Sequence, residues 1–321
     1  MRGEEGLRLH YTSEALRLTR ESGDARTELA VLAQLTVVQV ACGRLADAFA
    51  LAEEVLAHPE DQDLRPSFWQ SPRGPARNSR ALAFAYLGRP GDGRREILEN
   101  IELARGQGDH RSLGGAFINA TEIAWLVGDA ASTTSYARLR IELNEKTGGH
   151  VGRTPLVSLG AAHVLRREWP EAIDFLEQAL AVDRQRARRG DSDTLAHLAL
   201  AQLGSGDVPK ARETALEAVA LTSKQGTKLH EPYARIVLAR VLMQSDGASA
   251  RSAIEAELHR AEALIDEMGA RALAPLVLEE RARLARLLGD EPGCERELRE
   301  AHRLFAELGA TGHAERLAQE L

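Results

Sequence analysis

Residues 159–180, LGAAHVLRREWPEAIDFLEQAL, decide the fold. Apolar and small residues recur at helical spacing on both sides of a short break, RREWPEA, and Ala172, Leu176 and Ala179 follow it at four- and three-residue steps. Pro170 falls where a second helix begins, a position at which a missing N–H does no harm. The stretch therefore predicts a helix, a tight turn at Arg167 and an antiparallel second helix. The same turn returns along the chain as CGRLADA (42–48), LGRPGDG (87–93), VGDAAST (127–133), SGDVPKA (205–211) and LGDEPGC (288–294). Its anchors Gly43, Gly88, Gly128, Arg167 and Gly206 are 45, 40, 39 and 39 residues apart, and Gly289 follows after 83, two periods. A further unit must lie between, shifted in phase by the insertion QSDGASARS.

Superposing the units exposes two columns. Seven residues before the anchor stand Thr36, Ala81, Thr121, Gly160, Ala199 and Ala282; five after it stand Ala48, Gly93, Thr133, Ala172, Ala211 and Cys294. All twelve are small, although Gly, Ala, Ser, Thr and Cys make up only 110 of 321 residues. Small residues facing each other across a hairpin let two helix backbones approach closely. The composition agrees: 52 Ala and 46 Leu stand against 13 aromatic residues, which excludes a sandwich or barrel and argues for thin helical layers. Hairpins are expected at 27–57, 77–106, 112–146, 154–187, 192–224, 231–268 and 273–308. A partial repeat (1–26) precedes them, a terminal helix (309–321) follows, and 58–76 is the one long connection of a single superhelix over 1–321.

Leu159, Gly160, His163, Trp169, Ala172, Leu176 and Ala179 resemble the tetratricopeptide repeat, with a period near 40 instead of 34 and Arg167 in place of the turn glycine. The resemblance implies an all-α, right-handed α-solenoid of antiparallel hairpins whose first helices line a concave face. The C-terminal stretch LEERARLARLLGDEPGCERELREAHRLFAELGATGHAERLAQEL (278–321) and the segment from His58 to Pro90 are also similar to the repeat region of large bacterial signalling proteins. Those proteins join a class III adenylate or guanylate cyclase, or a DNA-binding module, to an AAA-type ATPase and tetratricopeptide repeats. A regulatory region without catalytic residues of its own is implied. The N-terminal helix from about Leu7 to Glu21, with Tyr11, Ala15 and Leu18 on one face, reads as the second half of a hairpin whose first half is missing.

A net charge of −7, with 41 Lys and Arg interspersed among 48 Asp and Glu, speaks against nucleic acid as a partner. The densest basic run, Arg184, Arg186, Arg188 and Arg189, is followed at once by Asp191 and Asp193. Cys42 and Cys294 belong to no CxxC or Cys/His cluster and read as small apolar residues of a reducing, cytoplasmic setting. No apolar run is long enough for a membrane span.

Catalytic motifs are missing from the sequence: it has no GxxxxGK[ST], no HExxH and no paired metal ligands, so no enzyme activity, cofactor or metal is expected. The Gly-rich LGRPGDGRRE (87–96) and TGGHVGR (147–153) follow helices and read as turns. His163 and His197 fall inside first helices, and His110, His150, His230 and His313 fall in solvated connections. Carboxylates such as Glu279-Glu280 read as an exposed helix face.

Outward positions of the first helices are therefore the candidate binding residues for a protein or peptide partner, or for a covalently linked ATPase or cyclase module. They are Asn78, Ile118, Asn119, Glu122, Trp125, Tyr233, Arg240, Glu279 and Arg283. Glu122 and Trp125 lie one turn apart, an aromatic platform beside a carboxylate that suits a cationic or sugar-like effector or a peptide anchor. The alternative is that Trp125 packs between hairpins and Glu122 pairs with an arginine. In the long connection, Phe68, Trp69 and Arg73 either cap the groove or form a contact patch. Two functions stay open: an interaction scaffold, or a small-molecule sensor with its ligand near Asn119, Glu122 and Trp125.

Overall fold

The structure is a computed structural model that describes residues 3–58, 71–149, 152–185 and 192–321. Among these residues there is no strand; sixteen α-helices follow one another. A solitary helix α1 (Glu4–Ser22) precedes seven antiparallel hairpins: α2 (Ala25–Ala41) with α3 (Leu45–Ala57), α4 (Arg73–Tyr86) with α5 (Pro90–Gly106), α6 (His110–Leu126) with α7 (Ala130–Lys146), and α8 (Arg153–Arg166) with α9 (Trp169–Gln185). Then come α10 (Ser192–Gly204) with α11 (Val208–Gln225), α12 (Glu231–Ser245) with α13 (Arg251–Met268), α14 (Ala274–Leu287) with α15 (Glu291–Glu307), and a terminal α16 (Thr311–Ala318). Together they form a right-handed α-solenoid. The insertion QSDGASARS is absorbed as a short 3₁₀ turn, Gly247–Ala250, before α13.

Helix boundaries follow the local chemistry. The anchors Gly43, Gly88, Gly128, Gly206 and Gly289 all adopt positive φ. Arg167 does the same at φ 61°, the one non-glycine residue to do so among those described. Its N–H bonds the Val164 carbonyl at 3.0 Å, and the next N–H bonds that of His163 at 2.9 Å, so the turn keeps its glycine geometry without the glycine. An aspartate directly after the turn glycine caps the next helix: Asp129 accepts from Ser132 N at 2.9 Å, Asp207 from Lys210 N at 3.2 Å and Asp290 from Gly293 N at 3.0 Å.

The twelve small residues of the two columns are all buried. Gly93 lies against the Ala81 carbonyl of the facing helix, so that a Cβ there would strike the backbone; Gly160 leaves room for Leu176, whose Cγ a Cβ would approach to 2.5 Å. The hairpins are thus as thin as the sequence implies. Both cysteines are free and buried; Cys294 lies in the C-terminal core with Phe305 and Leu317, and burial pushes the Cys42 thiol up from its ordinary pKa. On α1 only Leu16 is buried, whereas Tyr11 and Leu18 are 67% and 52% exposed, so the face that reads as needing a partner helix is open. Among the described residues no helix is long and apolar enough to cross a membrane.

The superhelix is wound until its turns touch. Gly43, in the first hairpin, faces the Met268 and Lys228 side chains flanking the sixth. Gly88, in the second, packs on Arg271 and Leu308 of the seventh. Gly128, in the third, meets Gly312 and His313 of α16, and Gly312 N donates to the Val127 carbonyl at 3.1 Å. Each contact joins elements five hairpins apart, which sets the pitch. His313, expected in a solvated connection, is 6% exposed: its ring stacks on Phe305 at 4.8 Å and its Nε2–H reaches the Trp125 carbonyl at 3.3 Å. Sequence reading missed this because the covering residues come from a distant turn.

Two predictions follow from this packing. Gly93→Val should lower stability by about 1–3 kcal/mol through overpacking against the Ala81 carbonyl. Gly91→Ala, in open space on the same helix, should be neutral or slightly stabilising, and urea unfolding of the two variants separates them. Burial depresses the His313 pKa to about 4 against 6.5 for an ordinary histidine. Between those values the unfolded chain binds a proton that the folded chain refuses, so this contribution is intact above pH 6.5 and falls away by about 3 kcal/mol as pH drops to 4. The pH dependence of urea unfolding should flatten by that amount in His313→Gln.

Candidate functional site

Successive first helices pack against one another, and α6 carries Ile118, Thr121, Glu122 and Trp125, at steps of three, one and three residues, on the wall of a cavity. Helical spacing puts all four on one stripe. The closed winding brings α12 opposite, and the Trp125 ring stands edge-on to Tyr233, centroids 4.9 Å apart at 79°, and to His197, 5.4 Å apart at 89°. The Tyr233 hydroxyl bonds His197 Nδ1 at 3.1 Å, and His197 Nε2 lies 3.4 Å from Asp193. Glu122 accepts from the Tyr86 hydroxyl and lies 3.6 Å from His230 Nε2. Arg153 completes the ring, donating to Thr194 Oγ1 at 3.1 Å and standing 3.5 Å from Asp183. The cavity volume is about 280 Å³.

Charge in this cavity is set by proximity. Burial pushes the Asp193 carboxyl up, but His197, His230 and Arg153 outweigh it and hold the group below the ordinary carboxylate range. Burial pushes the Tyr233 phenol up, and burial with the adjacent Glu122 carboxylate does the same for Tyr86. Phenols held protonated orient their neighbours and are not activated nucleophiles, so the Tyr233–His197–Asp193 chain is a positioning network. Three aromatic rings and two carboxylates line the cavity, with Arg153 and His230 beside them.

A second cavity of about 600 Å³ lies between α2, α4, α6 and α7, and Ile118 lines both. Asn78 and Asn119 line it, yet their amides also hold the hairpins together: Asn100 Nδ2 donates to Asn78 Oδ1 at 2.7 Å, Asn78 Nδ2 to the Ser112 carbonyl at 3.3 Å and Asn119 Nδ2 to the Asn78 carbonyl at 2.8 Å.

Arg240, Glu279 and Arg283 lie behind the Trp125–Tyr233 pair in a space of about 100 Å³. Glu279 and Glu280, expected on an exposed face, are buried at 2% and 0%. Glu280 binds Arg240 and, at 2.7 Å, Arg283; Glu279 binds Arg316 of α16 at 2.5 Å and lies 3.4 Å from Arg283. Burial raises the Glu279 carboxyl but the arginines more than offset it, and the group titrates below its usual range. The correction arises because α12 and α16 close over this face. Arg73, at the start of α4, donates to the His58 carbonyl, whereas Phe68, Trp69 and His150 lie outside the described residues.

The structure therefore joins Glu122, Trp125 and Tyr233 in one cavity, places Asn78, Ile118 and Asn119 in the neighbouring one, and separates Arg240, Glu279 and Arg283 into an ion cluster. Glu122 pairs with a tyrosine and a histidine instead of an arginine. Tyr86, Asp193 and His230 were not among the residues expected to bind. The Asp193-x₃-His197 spacing is the one local sign of the network; the rest depends on the winding. Trp169 packs over Gly204, where a Cβ would collide with the indole ring. Among the described residues no group of three or more His, Cys, Asp or Glu is placed to hold a metal.

Residues 156–190 match the tetratricopeptide repeat family model. Among solved structures, the chain is similar to a Rap protein complexed with Competence and Sporulation Factor, with TM-score 0.56, 12% identity, and coverage of 91% of this chain and 98% of that one. It is also similar to the apo form of the quorum sensor NprR from B. thuringiensis, with TM-score 0.50, 13% identity and coverage of 97% and 96%. A Signal Transduction ATPase with Numerous Domains from Pyrococcus horikoshii, bearing a tetratricopeptide repeat sensor, matches at TM-score 0.52 and 15% identity over 90% of this chain but 43% of its own length. A search of curated proteins gives no match. At these identities the likeness establishes the fold, a helical-repeat solenoid.

If Glu279 and Glu280 are structural, removing one leaves partly buried arginines short of their partner. Glu280→Ala should cost about 1–3 kcal/mol in urea unfolding, whereas Glu14→Ala on the exposed face of α1 should leave stability unchanged.

Proposed function

We propose that the chain is a non-catalytic, ligand-responsive interaction scaffold that receives a short, extended peptide along its axis, with a positively charged group of that peptide lodged between Glu122 and Trp125. The observation that carries this reading is the contact between turns five hairpins apart. Inside this winding lie two cavities of about 280 and 600 Å³, the size range of small-ligand and peptide pockets, with Ile118 lining both. The chemistry of the walls supports it: the aromatic rings and the Glu122 carboxylate suit an ammonium or guanidinium group, while Asp193 is engaged by His197. The similarity to a Rap protein complexed with Competence and Sporulation Factor and to a quorum sensor adds weight to a sensor role. Transmission would run through the winding itself, since Trp125 on the cavity wall offers its carbonyl to His313 on the terminal helix. The output would be a partner protein, or an ATPase or cyclase module of the same polypeptide, engaged on the outer surface.

A small cationic effector in the Glu122–Trp125 cavity is the second reading, favoured by that cavity's small volume of about 280 Å³. Thermal-shift and calorimetric screens of short peptides with free and acetylated N-termini, alongside choline and putrescine, distinguish the two. A peptide whose binding weakens about tenfold or more, near 1.4 kcal/mol, in Trp125→Ala and Glu122→Gln supports the peptide reading. Binding of the amines alone transfers the site to the effector. If neither class binds and a folded partner associates equally well with wild type and Trp125→Ala, the interior is not the functional site.

A further inference from the structure

The neighbouring cavity carries the opposite charge. Its lining includes Arg140, Arg111 and His110 but, among the described residues, no aspartate or glutamate, in a chain whose net charge is −7. Arg140 is half-buried on α7 and, unlike nearly every other arginine that faces a cavity here, makes no ion pair or hydrogen bond with any described residue. Its guanidinium rests on Gly114 of α6, where a Cβ would overlap it. A glycine at that point therefore makes the space in which the cation sits. Burial with no offsetting carboxylate lowers the Arg140 pKa from its usual value, the direction expected of a cation short of its counter-ion, while a guanidinium stays charged at neutral pH.

We propose that this cavity is an anion subsite in which Arg140 receives the terminal carboxylate of a peptide. A carboxylate matches the planar two-donor edge of a guanidinium, and Val37, Leu82 and Leu143 on the same wall offer an apolar surface to the side chain of the last residue. A phosphate would leave that surface without a partner. Resting on the peptide reading above, the subsite fixes polarity: the positive group of the ligand points to Glu122, its C-terminus to Arg140, with Ile118 between them.

The probe is N-acetylleucine, which has a carboxylate, an amide and an apolar side chain but no positive charge. Its binding is thus independent of the Glu122–Trp125 cavity and tests the subsite apart from the peptide reading. Followed by NMR titration on the full chain, N-acetylleucine should bind about tenfold or more tightly than N-acetylleucinamide. Arg140→Gln should abolish the difference and Arg140→Lys keep part of it. Gly114→Ala retains the charge but displaces the guanidinium, and should weaken binding as well, whereas Glu14→Gln on α1 should not. Should Arg140→Gln fail to fold, the acid–amide comparison on wild type and the Gly114→Ala variant decide. Equal binding of acid and amide, no binding of either, or tighter binding of inorganic phosphate than of N-acetylleucine would overturn the assignment.

Discussion

Close approach of helix backbones is the constraint on which the rest of the structure depends. At two places in six of the seven hairpins the side chain is no larger than threonine or cysteine, and at Gly93 the facing carbonyl occupies the space where a Cβ would stand. Thin hairpins stack into a wall of little depth, which a chain with 13 aromatic residues in 321 can fill. The same economy operates between turns, where Gly43, Gly88 and Gly128 lie directly on residues five hairpins later. A bulkier residue at any of these points would separate the turns and open the interior.

Closure changes the environment of charge. In an open solenoid an acidic pair such as Glu279-Glu280 would sit on a wet concave face. Here α12 and α16 cover it, and Arg240, Arg283 and Arg316 supply the compensation that burial demands. His313 is the counterpart without such compensation: it is buried, and it keeps its neutral form by shedding its proton. Both lie at the seam where the terminal helix meets the third hairpin, next to Trp125, so the seam and the candidate site share a wall.

Interior polarity is divided in a way that total charge conceals. One cavity holds two carboxylates and three aromatic rings together with Arg153, and the other holds an arginine with no partner among the described residues; Ile118 lines both.

The helical hairpins, their small-residue contacts and their turns were legible in the sequence because each is a local matter: a 3.6-residue period, a left-handed residue to stop one helix, a proline or aspartate to start the next. Even Arg167 was recognisable as a turn from its place in the period. The stripe Ile118–Glu122–Trp125 was legible for the same reason, since helix spacing alone puts those residues on one face. Tyr86, Asp193 and His230 at the site, and the burial of Glu279, Glu280 and His313, were not. Each acquires its surroundings from a helix dozens to nearly two hundred residues away, and the spacing of such partners follows from the superhelical pitch. That pitch is the sum of small rotations between successive hairpins, a quantity that no single repeat encodes and that only the packed chain decides.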